Sequence, residues 1–177
     1  ELIMERHFEE WMHLNDAGIG RLDIENVTVL GLDPNRPTWF NATGVLPQGQ
    51  LDALEAELAK EELRTAFIIL VIHYPVLGPS GSIYDNWHHG LLNVQALVDV
   101  LERSPNRPGL IVHGHKHHGY TVPLKLSATD QAIPIFNCGS SGYARTPDGK
   151  RAGATNVYTI ADGALTSTER YIYDGDR

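Results

Sequence analysis

Two short apolar runs each deliver histidine at their end, and this pattern constrains the fold of the chain more than any other feature. Thr65 to Ile72 leads into His73-Tyr74-Pro75, and Leu110-Ile111-Val112 leads into His113-Gly114-His115-Lys116-His117-His118. Short runs rich in β-branched residues read as buried strands, and a sheet edge where two strand ends carry His is a ready place for a site. Imidazole is a strong ligand for divalent transition metals. On an extended segment His115 and His117, two apart, would point the same way, and Gly114 would let the backbone turn sharply. A lone His at a strand end is more often a hydrogen-bonded structural residue than a ligand. Imidazoles crowded together gain nothing unless they share a cation or an anion, so the cluster predicts a metal site with His73 as its second source of nitrogen.

The rest of the chain is organised around these runs. Met4 to Leu14, with Phe8, Trp11 and Met12 among charges, predicts a short amphipathic helix. Val27 to Leu32 predicts a strand, closed by Asp33-Pro34. After a loop to Gly49, Leu51, Leu54 and Leu58 recur at helical spacing through Asp52 to Leu63, with acids on the solvated face. Ala66 to Ile72 is the next strand. Leu91, Leu92, Leu97, Val98 and Leu101 mark a second helix, and Leu110 to His113 a further strand, so helix and strand alternate twice. Then strands and turns take over, at Ile133 to Asn137, Asn156 to Ile160 and Leu165 to Tyr173. The last two are joined through Ala161-Asp162-Gly163, a hairpin signal. The expectation is an α/β (α+β) fold in a single domain spanning 1–177: a sheet with helices followed by antiparallel strands. A chain of 177 residues is long enough for a sizeable core.

Charge narrows the partners. Lys and Arg total 14 against 22 Asp and Glu, a net charge of -8, with no basic block to track a phosphate backbone, so nucleic acid is not expected as a partner. No run reaches the length of a membrane span, so no membrane partner is expected either. The single cysteine, Cys138, forms no internal disulfide and reads as a small buried hydrophobe, and a reducing, cytoplasmic location is the expectation.

The segment Gly78 to Gly90 is long for a connection in a compact fold, and such loops are commonly functional. It holds Asp85, Trp87, His88 and His89. His88, His89 and His118 could line a phosphate site from the loops, with Asp85 and Trp87 shaping a wall. Arg145, in the Gly-rich stretch with Tyr143 that follows the Ile133 to Asn137 strand, could contact a phosphate. His113 would orient its neighbours through a hydrogen bond or simply pack.

His73-Tyr74-Pro75 on a strand end, followed by Gly114-His115-Lys116-His117, resembles the latter two metal motifs of the calcineurin-like metallophosphoesterases, His-x-Pro and Gly-His-x-His. Gly31-Leu32-Asp33, the Gly44 to Leu51 segment running into Gln50-Leu51, and Asn137-Cys138-Gly139-Ser140 resemble the cyclic-nucleotide phosphodiesterase-like branch. The resemblance implies a β-sandwich flanked by helices, of which this chain is the second half. The family's first-half motifs, Asp-x-His, Gly-Asp and Gly-Asn-His, do not occur in this sequence. The expectation is therefore the C-terminal part of a metallophosphoesterase domain, starting just beyond Gly-Asn-His, with the acid His of the reaction upstream of Glu1.

The resemblance implies hydrolysis of a phosphomonoester or phosphodiester by in-line attack of hydroxide on phosphorus at two divalent metal ions, Mn, Fe or Zn. His73 and His115 would bind one metal and His117 the other, acting on a small phosphorylated substrate. A bridging carboxylate brings negative charge between two dications and neutral imidazoles cannot, so this chain alone would be catalytically incomplete. Two other readings stand beside it. One is a non-catalytic metal or phosphate binding module. The other is a fragment whose open strand edges promote pairing between copies, a homo-oligomer.

Overall fold

The computed structural model describes residues 14–35, 42–84, 86, 88–127, 129–142 and 152–173. The expected Met4 to Leu14 helix, apart from Leu14 itself, lies outside the described residues, as do Tyr143, Arg145, Asp85 and Trp87. The element order is β1 (Ile19–Ile24), β2 (Val27–Leu32), α1 (Gln48–Leu58), a 3-10 turn (Glu61–Arg64), β3 (Phe67–Ile72), α2 (Val94–Arg103), β4 (Leu110–His113), β5 (Tyr120–Leu124), β6 (Ile133–Asn137), β7 (Ala154–Ala161) and β8 (Ala164–Ile172). The described residues form a mixed α/β fold, as expected.

Six strands make one sheet in the order β1-β2-β3-β4-β6-β5, and β7 and β8 make a separate two-stranded sheet. The middle four, β2, β3, β4 and β6, run parallel. Parallel strands are covered on both faces, which is why β2 to β4 read as nearly continuous apolar runs. One face carries Leu30, Ile68, Leu70, Ile72, Ile111 and Ile135, packed in one core with Leu54 and Leu58 of α1 and Leu97 and Leu101 of α2. The opposite face carries half-buried Val71, Val112 and Phe136, and Phe136 meets Tyr158 of the β7–β8 hairpin at 5.2 Å between ring centroids.

The two strands that pattern alone does not predict are the edges. β1 alternates Arg21 and Asp23 with apolar residues and turns into β2 through Glu25, whose φ is 52°, a turn without the glycine that signals a hairpin. β5 contains Pro123, which pairs opposite Pro134 in an antiparallel ladder. Proline is tolerated there because the outer side of an edge strand needs no ladder donor.

The helices differ from expectation at their ends, and tertiary contacts are the cause. α1 starts at Gln48 rather than Asp52, and the buried Gln50 amide donates to the carbonyls of Ala17, Gly18 and Asp33. It ends at Leu58 rather than Leu63, because the buried Asn106 amide takes the carbonyls of Leu58 and Lys60 at 2.9 and 2.8 Å. α2 starts after Asn93, whose side chain exchanges two hydrogen bonds with the backbone of Leu46. Leu91 and Leu92 therefore precede the helix. No helix among the described residues is long and apolar enough to cross a membrane.

Candidate metal centre

β3 and β4 are adjacent and parallel with Ile72 opposite His113, so the segments leaving them emerge side by side. The Gly114 N–H donates to the His73 carbonyl at 3.2 Å, tying the two exits together. The His73 Nε2 and His115 Nδ1 atoms lie 3.0 Å apart, with ring centroids at 5.0 Å and planes at 77°. Metal–nitrogen bonds of about 2.1 Å set two nitrogens at right angles on one ion about 3 Å apart. The observed separation therefore suits either a shared proton or a shared cation. The buried Tyr74 ring flanks both, 4.9 Å from His73 and 4.7 Å from His115.

The segment after β4 is not extended, contrary to expectation. His115 has φ 66° and His117 φ 54°, and the turn falls on them rather than on Gly114, which is absent from the left-handed positions. Left-handed backbone costs a non-glycine residue on the order of 1 kcal/mol or more and gathers at functional sites. Two histidines holding it within three residues place the His115 ring over His73.

Burial and neighbouring positive charge keep these imidazoles neutral. Burial, then His73, His89, Lys116 and His117, push His115 down to about 4. Burial and the His117 charge also lower His73. The His117 ring itself stands exposed on the same turn, near enough to be felt by both others. An imidazole that is neutral well below pH 7 has its lone pair free for a metal.

His113 is not part of the pair. It is buried at 7% exposure, its ring 5.3 Å from Tyr120, and its Nδ1–H donates to the Gly114 carbonyl at 3.0 Å. Burial pushes it down to about 4, so it is neutral, and its Nε2 has no partner. Of the expected loop residues, His89 approaches His115 at 6.2 Å between centroids and His88 lies 6.2 Å beyond it. Both backbone N–H groups are held by the Asn86 side chain at 3.0 Å. His118 is exposed, and among the described residues no ring contact or hydrogen bond draws it to the pair.

Two supporting residues escaped sequence reasoning. The Asn137 amide, 2% exposed, donates to the Gly114 carbonyl at 2.9 Å and accepts from the Gly139 N–H at 2.8 Å, stapling the exits of β4 and β6. An Asn at the end of a buried apolar strand was the available signal. Lys116 Nζ donates to the Tyr84 hydroxyl at 2.5 Å, and joins the histidine turn to the Gly78 to Gly90 segment. No polar signature in the sequence pairs those two.

Among the described residues, no three His, Cys, Asp or Glu side chains are placed to hold an ion together. Among the described residues the arrangement offers two converging nitrogens with a third imidazole nearby and no carboxylate placed with them. It fits a cation held by His73 and His115, and does not by itself fit a pair of cations. No protein-family model matches the chain, and no curated protein matches it.

Proposed function

We propose that this chain is the imidazole-bearing part of a metal-dependent phosphoester hydrolase of the calcineurin-like metallophosphoesterase type. The carrying observation is the 3.0 Å approach of His73 Nε2 to His115 Nδ1 from two neighbouring strand ends. In this reading His73 and His115 hold one divalent ion, Mn, Fe or Zn, and His117 on the same turn faces a second that needs carboxylates from elsewhere. Bound cations would lower the pKa of an attacking water and neutralise charge on the phosphoryl oxygens. The chain's own residues set the geometry: Asn137 fixes the Gly114 carbonyl, Tyr74 walls the two rings, and burial keeps the nitrogens deprotonated. In this reading His88, His89 and His118, on loops that follow β3 and β4, would meet a small phosphorylated substrate, and the single Cys138 fits a cytoplasmic setting.

A second reading, a metal or phosphate binding module without catalysis, is favoured by the lack of any carboxylate beside the pair among the described residues. Calorimetric titration with Zn2+ or Mn2+, combined with hydrolysis of an aryl phosphate ester, tests both. The expected result is about one ion bound per chain, lost in His73→Ala and in His115→Ala. Metal-dependent turnover favours the hydrolase over the module. No binding, or binding indifferent to both substitutions, ends both metal readings.

A further inference from the structure

Arg170 of β8 lies against the turn that carries the histidines. A Cβ at Gly119 would fall on the Arg170 guanidinium carbon and both terminal nitrogens, and one at Gly139 would come 3.6 Å from Nη2, with the His117 carbonyl at the same distance. Two glycines thus leave room for one guanidinium beside the loop leaving His117. Among the described residues Arg170 enters no ion pair. Its neighbour Glu169 accepts instead from Tyr171 at 2.7 Å.

Arg170 lines a cavity of about 270 Å3 together with Thr121, Phe136, Asn137, Asn156 and Thr168. Its lining has one charged residue, a cation, in a protein whose net charge is -8. Asn156, directly opposite Arg170 in the hairpin, has a buried Oδ1 with no partner while its Nδ2 donates to the Tyr158 hydroxyl at 2.9 Å. A half-turn of that amide would let Tyr158 donate to Oδ1. Phe136 and Asn156 also line the neighbouring cavity of about 500 Å3 that contains His73 and Gly114, so the two spaces share a wall.

We propose that Arg170 forms an anion-binding subsite adjoining the imidazole pair, which selects phosphoesters carrying a second negatively charged group. The substrate class rests on the phosphoester reading above, while the anion site stands on the Arg170 geometry alone. A guanidinium offers paired donors matched to phosphate or carboxylate oxygens.

The test uses inorganic phosphate and methylenediphosphonate as probes on the chain, followed by calorimetry or phosphorus NMR. Without metal, phosphate affinity is expected to fall at least tenfold in Arg170→Met, to recover in part in Arg170→Lys, and to stay within twofold in Arg103→Met, a surface arginine paired with Glu55. Gly119→Ala, which keeps the charge but displaces the guanidinium, is expected to match Arg170→Met and carries the test if that variant does not fold. With Zn2+ present, methylenediphosphonate is expected to bind at least tenfold more tightly than phosphate, an advantage lost in Arg170→Met. Phosphate binding by the parent chain that is absent, or that is unchanged in both Arg170→Met and Gly119→Ala, overturns the subsite. If Zn2+ does not bind while phosphate still depends on Arg170, the phosphoester reading fails and the anion site stands.

Discussion

Replacing Asn137 by Ala tests whether the strand-exit staple positions the metal nitrogens or merely stabilises the fold. The side chain is 2% exposed and makes two bonds, to the Gly114 carbonyl at 2.9 Å and from the Gly139 N–H at 2.8 Å. Removing it leaves the Gly139 N–H unsatisfied, at about 1–3 kcal/mol, and takes one of three donors from the Gly114 carbonyl, which keeps the His113 Nδ1–H and the Lys116 N–H. With partial access of water to the half-buried Gly139, the expected total is about 1–3 kcal/mol. For a chain of this size that is a fall in Tm of roughly 2–12 °C. The functional consequence is separate. Gly114 directly precedes His115, so losing the Asn137 bond to its carbonyl unties the turn from β6 and lets the Nδ1 atom leave its place opposite His73. Loss of such an outer support costs about 10–100-fold in metal affinity. Asn137→Asp separates the two bonds, since a carboxylate still accepts from Gly139 but cannot donate to Gly114. It is expected to recover part of the stability and none of the Zn2+ affinity. The measurements are thermal unfolding by circular dichroism and Zn2+ calorimetry well below the melting temperature. A Zn2+ affinity within twofold of the parent in Asn137→Ala, despite the lower Tm, would refute the positioning argument.

Other expectations follow from single contacts. His115→Gly relieves the φ of 66° that His115→Ala keeps, so the glycine variant is expected to melt at or above the alanine variant, by about 1 kcal/mol in urea unfolding, with Zn2+ binding lost in both; an alanine variant clearly the more stable contradicts the strain assignment. Leu97→Ala, at a fully buried position of α2 in the core, is expected to cost about 2–5 kcal/mol by the same method, and a cost under 1 kcal/mol would mean that α2 is not packed as described. Burial works to raise the Asp23 carboxyl, but hydrogen bonds from Thr28 at 2.7 Å and Arg21 at 2.9 Å outweigh it and hold Asp23 below its usual value. A depressed carboxylate contributes stability that is fully present above the unfolded value near pH 4 and disappears as the pH falls through the folded one. Asp23 is half exposed, so the contribution is under about 1 kcal/mol, and Thr28→Val is expected to lose up to that amount at pH 7 and to flatten the acid limb of the stability profile below pH 4, as read by urea unfolding across pH.

The parts of the fold that could be read from the sequence are those whose physics is local. β2, β3, β4 and β6 are apolar because a parallel sheet buries both their faces, and their runs announce them. The edge strands β1 and β5 are read poorly because one side of each meets water. Arg21 and Asp23 fit that side of β1, and Pro123 forgoes only a donor the edge of β5 does not use. The helix ends were hidden for another reason: Asn106 and Asn93 fix them from positions far along the chain, and no window around the helices contains that information. The same split holds at the site. His73 and His115 were readable as histidines at strand ends. The left-handed turn, the Asn137 staple and Arg170 against Gly119 depend on which strand lies beside which.

Strand order is therefore the link between sequence and chemistry. Because β4 lies between β3 and β6, the loops bearing His73, His115 and Asn137 all open at one end of the sheet, and parallel direction makes that end the carboxyl end of each strand. Ligands gather at such ends because the chain there is free of ladder constraints while its base is rigid. What this edge supplies is electrically one-sided. His73 and His115 are held neutral, Lys116 adds positive charge beside them, and among the described residues no carboxylate stands with them. A dication placed on neutral nitrogens beside an ammonium keeps its full charge, so its binding is weak until an anion joins it. That anion can come from carboxylates on another polypeptide segment or from the phosphoryl group of a substrate. If the proposed metal site holds, the second case predicts positive cooperativity, with Zn2+ and phosphate each strengthening the other's binding by the same factor in calorimetry.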